Sequence, residues 1–354
     1  MINILDSQQN PRLSAPLGFG KYIAGHMAVC RYNAEHGWDT PEIIPYQSFQ
    51  LDPCALVLHY GQSIYEGMKA FARTDGSIGL FRPEKNAERF RASAARMAMA
   101  QMPCALFLDA ISQLVLKEKH LIPQSETGSL YLRPVLIGDE AAFGVRRSAS
   151  YLFFTIATPV DDLYQPGNPG MRLTVTEDFS RSSQRGGGDA KTAGNYARTI
   201  LALDAARAAG FDNVLWLDPV HQDWIEEAGI TNFFVLTRAG TLLTPPLNGR
   251  ILAGVTRDAV LQQARLWKLD IEEQEISISA LVKAIEKDDI AEVFMTGTAT
   301  HIAPVASLSW RGTEYVLPQE PFRQTLAGRL SQYIRDVQRG MCEDQAGWMT
   351  VLPT

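Results

Sequence analysis

Three prolines and two glycines fall within the twelve residues from Pro159 to Gly170, a run through which neither a helix nor a central strand continues. It divides the 354 residues into two stretches, in keeping with a length that exceeds one ordinary domain. Each stretch mixes helical and strand periodicity. The expected fold class is therefore mixed α/β, with a small N-terminal α/β domain at 1–158, a linker at 159–170 and a large C-terminal domain at 171–354.

In the first stretch, strands are expected at Met27–Tyr32, Pro45–Leu51, Ser77–Phe81, Ser129–Ile137 and Ser150–Thr158. Pro83 occupies a first helical position, and Ala87, Phe90, Ala94 and Met97 follow at helical spacing, so a helix should run to about Ala100. A second helix is expected over Leu106–His120. Beyond the linker come strands at Met171–Thr176, Asn213–Leu217 and Glu292–Thr296, and a hairpin of Asn232–Thr237 with Thr241–Leu243. Helices are expected near Asn195–Ala209, Val255–Leu266, Ile278–Glu286 and Pro321–Arg339.

Thirty-three basic and 39 acidic side chains are scattered without a basic run and sum to −6, which argues against nucleic acid or an anionic membrane as partner and for a small-molecule ligand. Cys30, Cys54, Cys104 and Cys342 are far apart and read as reduced, buried thiols. No targeting segment and no apolar run of about 18 residues is evident, so a cytoplasmic location is expected. The six histidines are scattered, and no metal site is expected among them. The signatures of phosphate-binding loops, metalloproteases, serine hydrolases and dinucleotide folds are missing.

Four segments can carry chemistry. Gly186–Tyr196 sets one lysine, Lys191, among small residues, where desolvation would suit an amine that forms a Schiff base; a Gly-rich loop with an exposed lysine would read the same. Trp224–Phe234 sends an acidic pair, Glu226 and Glu227, into an apolar strand, where a carboxylate could keep a pyridinium nitrogen protonated or simply be solvated. Leu247–Asp258 is a glycine turn opening a helix whose first N–H groups suit a phosphate, as do those of many helix starts. Glu292–Ala299 is a strand ending in a small-residue turn that can offer donors to an anion, or be plain turn chemistry.

In this order the segments resemble the branched-chain amino-acid aminotransferase family, the fold-type IV enzymes dependent on pyridoxal 5′-phosphate. The similarity runs from about Gly18 to Leu352. It includes His59–Lys69, Leu80–Pro83, Asn86–Arg89, Tyr131–Pro134, the segments of Lys191 and Glu227, and Gly347–Met349. It implies a two-domain fold whose C-terminal domain binds the cofactor, at least a homodimer, and transfer of an amino group from leucine, isoleucine or valine to 2-oxoglutarate.

By the same resemblance Lys191 is the Schiff-base lysine and shuttles the substrate proton. Tyr196 meets the ring 3′-oxygen, Glu227 the pyridine nitrogen, and Arg89 the phosphate together with the amides of Val255 and Thr256 and the Thr298 hydroxyl. The turn at Thr298 and Ala299 receives the substrate α-carboxylate. Tyr60, Tyr65 and Tyr131 wall the substrate pocket, Arg133 accepts the side-chain carboxylate of glutamate, and Val145 is lent by the partner subunit. Outside the resemblance these tyrosines would be core residues and Arg133 a buried ion-pair partner.

The chain departs from the family pattern at Ala193, where a glycine is usual, and at Ala253, where proline is usual. Thr300 and Ala303 stand where mammalian members carry a thiol pair, so no redox switch of that kind is expected. Ile230, Thr231 and His301 are unusual near the substrate and motivate an alternative: a related aminotransferase of specialised metabolism acting on an aromatic, methionine-like or methylated substrate. A β-eliminating lyase and a non-catalytic binding protein on the same fold are further alternatives.

Overall fold

In the computed structural model, which describes residues 3–5, 17–162, 164 and 169–353, the longest ladder joins Ser129–Gly138 to Ser150–Val160, antiparallel from Tyr151 opposite Gly138 to Val160 opposite Ser129. Of the expected linker, residues 163 and 165–168 lie outside the described residues. The chain groups into two units, one of Met1–Leu163, Ala190–Gly194 and Arg335–Thr354, the other of Tyr164–Asp189 and Asn195–Ile334. Two segments from the stretch expected as the C-terminal domain thus belong with the first unit. Pairing explains both: Met349–Leu352 adds a strand to Ile78–Phe81, and Thr192 bridges Ile64.

The first unit is built on a nine-stranded antiparallel sheet in the order Met349–Leu352, Ile78–Phe81, Met68–Ala72, Ser129–Gly138, Ser150–Val160, His26–Asn33, Gly37–Trp38. Glu42–Pro45 pairs with His26–Asn33, and Ser63–Tyr65 with Ser129–Gly138. The helices Pro83–Arg96 and Cys104–Lys117 lie over one core. Phe90, Phe107 and Phe153 meet there with ring centroids 5.1, 5.7 and 5.9 Å apart, and the same helix face buries Ala87 and Ala94. Each such aromatic pair adds about 0.5–1.5 kcal/mol beyond the area it buries.

In the second unit six strands close on themselves: Ile225–Ala228, Asn213–Leu217, Met171–Thr176, His301–Trp310, Ile290–Gly297 and Thr231–Thr237, the last pairing back to the first. Thr241–Thr244 and Asp270–Glu273 extend the sheet, and Thr313–Val316 forms a hairpin with His301–Trp310. Closure satisfies the edges of the short strand Ile225–Ala228, so its two glutamates are held from both sides.

Several boundaries differ from the sequence expectations, each for a local reason. The strand expected over Pro45–Leu51 is Glu42–Pro45, because its partner begins at His26, opposite Pro45. The first long helix stops at Arg96, where Ala98 takes a left-handed φ of 55° and Met99 N–H turns back to Ala94 O. No glycine signals that stop. The second helix is Cys104–Lys117 followed by a 3₁₀ turn, Lys119–Leu121. The helix expected over Asn195–Ala209 is two, Gly194–Ala197 and Ile200–Ala208, since Thr199 donates both its N–H and its hydroxyl to Tyr196 O. The C-terminal helix begins at Leu326, after a 3₁₀ turn closed by Thr325. The central strand His301–Trp310 was not singled out from sequence, since Pro304 lies within it, beside an irregularity in the ladder to Met171 and Arg172.

Candidate active site

In the first unit, Lys191 lies on a segment stitched to residues 63–65. Tyr65 N–H donates to Lys191 O at 3.0 Å, Thr192 Oγ1 donates to Ser63 O at 2.8 Å, and Lys191 N–H donates to Ser93 Oγ at 2.9 Å. The backbone is therefore pinned on both sides while the half-buried side chain reaches out, with Nζ 4.9 Å from the centroid of the Tyr65 ring. This is not an exposed lysine on a loose loop.

Beside it lies Glu66, which is fully buried. Arg89 grips it with two of its donors, Nε to Oε1 at 2.6 Å and Nη2 to Oε2 at 2.9 Å. Asn86 Nδ2 adds a bond at 2.8 Å and Gly67 N–H one at 3.0 Å. Burial alone would raise the Glu66 carboxyl, but the charge and hydrogen bonds of Arg89, with the charge of Lys191 and the bond from Asn86, outweigh it and hold the group below its ordinary range. Sequence reasoning assigned Glu66 no role. A lone acid between Tyr65 and Gly67 in an apolar run was the available signal.

The remaining first-unit residues form a wall. The Arg133 guanidinium stacks 4.6 Å from the Tyr65 ring and 5.3 Å from that of Tyr131, and Arg133 Nη2 donates to Tyr131 Oη at 2.9 Å. Phe19, which sequence reasoning did not single out, meets Tyr131 edge-on at 4.9 Å. Gly67 makes room for this arrangement, because a Cβ there would fall 2.0 Å from Tyr131 Oη. Tyr60 belongs to a separate group: its hydroxyl accepts Gly144 N–H at 2.9 Å, bracing the loop on which Val145 is 89 % exposed.

In the second unit, Glu227 is buried. Its Oε2 lies 2.9 Å from Arg181 Nε, and its Oε1 accepts Leu252 N–H at 3.0 Å and the Asn232 amide at 3.4 Å. Glu226, next to it, is buried against Arg250 and pushed up to about 7; burial is the main cause, offset in part by the charges of Arg181 and Arg250. The solvated acid pair allowed by sequence is thus excluded.

Val255 and Thr256 open the helix Val255–Leu266, whose N terminus has no side-chain cap. Gly254 before it is backed closely by Asn232, whose Oδ1 would lie 2.0 Å from a Cβ. Asn232 therefore links this helix start to Glu227. Tyr196 lies within the short helix Gly194–Ala197, its carbonyl accepting from Thr199. Thr298 and Ala299 form the turn after Ile290–Gly297. Thr231 stands beside that turn: its methyl would be 3.1 Å from a Cβ on Gly297, and its hydroxyl donates to Ala228 O at 2.5 Å.

His301 has a left-handed φ of 61° and is buried, with Nε2 at 3.1 Å from Ser331 O, and Ile230 is exposed. Of the cysteines, only Cys30 is buried, the other three being half-buried, which corrects the sequence expectation; all four are free thiols. Among the described residues, no group of three or more His, Cys, Asp or Glu could hold a metal ion, and no helix is long and apolar enough to cross a membrane. A cavity of about 500 Å³ between the hairpin at Val235–Leu243 and the helix Ile278–Glu286 contains none of the candidate residues.

The family model described as Amino-transferase class IV matches residues 63–308, which spans the segments of Lys191, Glu227, Val255 and Thr298. The chain is 39% identical over 334 residues to branched-chain-amino-acid aminotransferase 2 of Bacillus subtilis, covering 94% of this chain and 92% of that one. It is 40% identical over 340 residues to the branched-chain-amino-acid aminotransferase of Mycolicibacterium smegmatis, covering 95% and 92%. The fold is similar to that of a branched-chain aminotransferase from Thermoproteus uzoniensis solved with norvaline, at a TM-score of 0.75 and 23% identity over 93% of this chain and 100% of that one. By the family match over residues 63–308 and these near-full-length identities, the chain belongs to the class IV amino-transferases and, within them, to the branched-chain-amino-acid aminotransferase family.

Proposed function

We propose that the protein is a pyridoxal-phosphate-dependent transaminase that moves the amino group of leucine, isoleucine or valine to 2-oxoglutarate, giving branched-chain 2-oxo acids and glutamate. The near-full-length identity to enzymes of that name carries this reading. The residues fit the cofactor. The amides of Val255 and Thr256 at the start of Val255–Leu266, with the Thr298 hydroxyl, suit a phosphate dianion, and the close backing of Gly254 shapes that end; the guanidinium of Arg89 suits the same anion by its chemistry. The buried carboxylate of Glu227 suits a pyridinium nitrogen, the phenol of Tyr196 a ring oxygen, and Lys191 Nζ a carbonyl carbon. When bound, the cofactor supplies a sink for the electrons left when the substrate Cα–H bond breaks.

Lys191 Nζ takes the Cα proton and returns it one position along, so that no net proton is consumed. Glu227, braced by Arg181, would hold the ring nitrogen's proton in place. Thr298 and Ala299 orient the α-carboxylate. Tyr65 and Tyr131 present apolar ring surface to an aliphatic side chain, Tyr60 braces the loop of Val145, and Arg133 offers its guanidinium to the second carboxylate of glutamate. The exposed Val145 suits a contribution to a partner subunit's pocket, and the working form is at least a homodimer in the cytoplasm.

No observation favours the aromatic or methylated substrates. His301 is bonded to Ser331 O, Thr231 to Ala228 O, and Ile230 is exposed. The test is an absorbance spectrum of the purified protein, with leucine, glutamate and phenylalanine added singly. A band near 410–420 nm, the region of an enzyme-bound cofactor of this class, should respond to leucine and glutamate. In Lys191→Ala the covalent band should vanish and turnover fall by at least about 10³-fold. A leucine-insensitive band would refute the substrate assignment, and no band after adding the cofactor would refute the whole reading.

A further inference from the structure

Glu226 and Glu227 are neighbours on Ile225–Ala228 and only 1 % and 2 % exposed, yet a strand sends successive side chains to opposite faces. Each lies at ion-pair distance from a guanidinium: Arg250 Nε is 2.8 Å from Glu226 Oε1, and Arg181 Nε is 2.9 Å from Glu227 Oε2, while the Arg181 charge bears on Glu226 as well. The two pairs are joined through the backbone carbonyl of Arg250. It accepts Arg181 Nη2 at 2.5 Å and Ser182 Oγ at 2.7 Å, and Ser182 Oγ is itself 3.4 Å from Glu226 Oε2. Gly188 permits the approach, since a Cβ there would fall 2.2 Å from Arg250 O.

The other oxygen of Glu227 is held by Leu252 N–H, two residues along the chain from Arg250. A shift of Arg250 therefore disturbs both oxygens of Glu227, one through Arg181 and one through Leu252. The cluster sets two acids against two bases, so removing one charge leaves a buried guanidinium seeking another partner. Arg250 has such an alternative in the partly exposed Glu275, 3.3 Å from its Nη2.

We propose that Glu226 and Arg250 are positioning residues for this reaction: their ion pair fixes the Arg250 carbonyl and Leu252, and thereby holds the Glu227 carboxylate in the orientation the pyridine nitrogen requires. The proposal rests on the reading of Glu227 given above. The charged groups facing Glu226 are Arg181, Arg250, Glu227 and Asp218. With burial pushing Glu226 up to about 7, the pair is intact above neutrality and loosens below it. Cofactor retention should fall over the same range.

The experiment measures the rate at which pyridoxal phosphate leaves the holoenzyme at pH 8 and pH 6, by dialysis with absorbance readout. It compares wild type, Glu226→Gln, Glu226→Asp, Arg250→Lys and Glu227→Gln, each with a melting curve. Wild type should release cofactor faster at pH 6 than at pH 8. Glu226→Gln, nearly isosteric, should release it about tenfold faster than wild type at pH 8, the low end of what losing a supporting partner costs at metal sites, and show little further change at pH 6. Arg250→Lys should also release it faster, and Glu226→Asp should recover part of the pH dependence. A wild-type rate in Glu226→Gln at both values overturns the proposal. So does faster release with the wild-type pH dependence intact, which marks a merely structural role. If Glu227→Gln leaves release and the spectrum unchanged, the reading of Glu227 itself fails; if Glu227→Gln changes them and Glu226→Gln does not, only the present proposal does.

Discussion

Arg89 holds Glu66 in a buried, two-point grip, Nε to Oε1 at 2.6 Å and Nη2 to Oε2 at 2.9 Å, so the arginine assigned to the phosphate is oriented by a carboxylate from the neighbouring strand segment. Glu66→Gln should destabilise the protein by about 3–5 kcal/mol, because it leaves the guanidinium beside a neutral partner. The Glu66 carboxyl lies below its ordinary range in the fold, so its contribution is present above the unfolded value and is lost only as the pH falls through the lowered one. Denaturant titrations at pH 7 and in acid should show the difference between wild type and variant shrinking in acid.

Gly67→Ala tests the wall of Tyr131 and Arg133. The added Cβ would sit 2.0 Å from Tyr131 Oη, and the ring must move, taking its bond from Arg133 with it. We expect a loss of about 1–3 kcal/mol from overpacking. The KM for 2-oxoglutarate should rise more than that for leucine, since the guanidinium proposed to receive the second carboxylate is displaced. Equal changes for both substrates would show that Arg133 does not select the acidic one.

Asp218 organises the turn that leads into the two glutamates. Its carboxylate accepts the N–H groups of Val220, His221, Asp223 and Trp224 at 3.2, 2.8, 3.3 and 2.9 Å. Burial would raise it, but these backbone bonds and His221 bring it down to about 2. Asp218→Ala should cost about 2–3 kcal/mol by leaving buried donors unpaired. The stabilisation is present above the ordinary value of 3.8 and disappears as the pH falls toward 2, which calorimetry at pH 7 and pH 3 would follow.

Glu226 has the opposite sign. Its folded value, about 7, lies above the ordinary 4.5, so its contribution is present below 4.5 and is lost as the pH rises through 7. Ionisation should cost the fold up to about 3 kcal/mol by pH 8. Glu226→Gln should flatten the stability profile between pH 5 and pH 8. An unchanged slope in chemical denaturation would exclude Glu226 as its source.

Much of this was legible in the residues themselves. Pro83 at a helix start, the apolar stripe Ala87, Phe90 and Ala94, and the largely apolar run within Ser129–Gly138 are local signals, and the elements formed where they pointed. Lys191 and the acidic pair Glu226 and Glu227 stood out through their setting in sequence, and Arg89 only through the family resemblance. Glu66, Arg181, Arg250 and Phe19 did not, because nothing local distinguishes a buried arginine from a surface one. Their roles depend on partners such as Arg89 for Glu66, 23 residues away, and Arg250 O for Arg181, 69 residues away.

By itself the sequence determined where most of the helices and strands lie and which family the chain joins, since these follow from short-range sterics and the order of motifs. Only the tertiary structure decided that Met349–Leu352 completes the first sheet and that six strands close the second. It alone also decided that two adjacent glutamates are buried with separate arginines and that His301 turns to Ser331. Those outcomes depend on desolvation and pairing between residues remote in the chain, which no local pattern encodes.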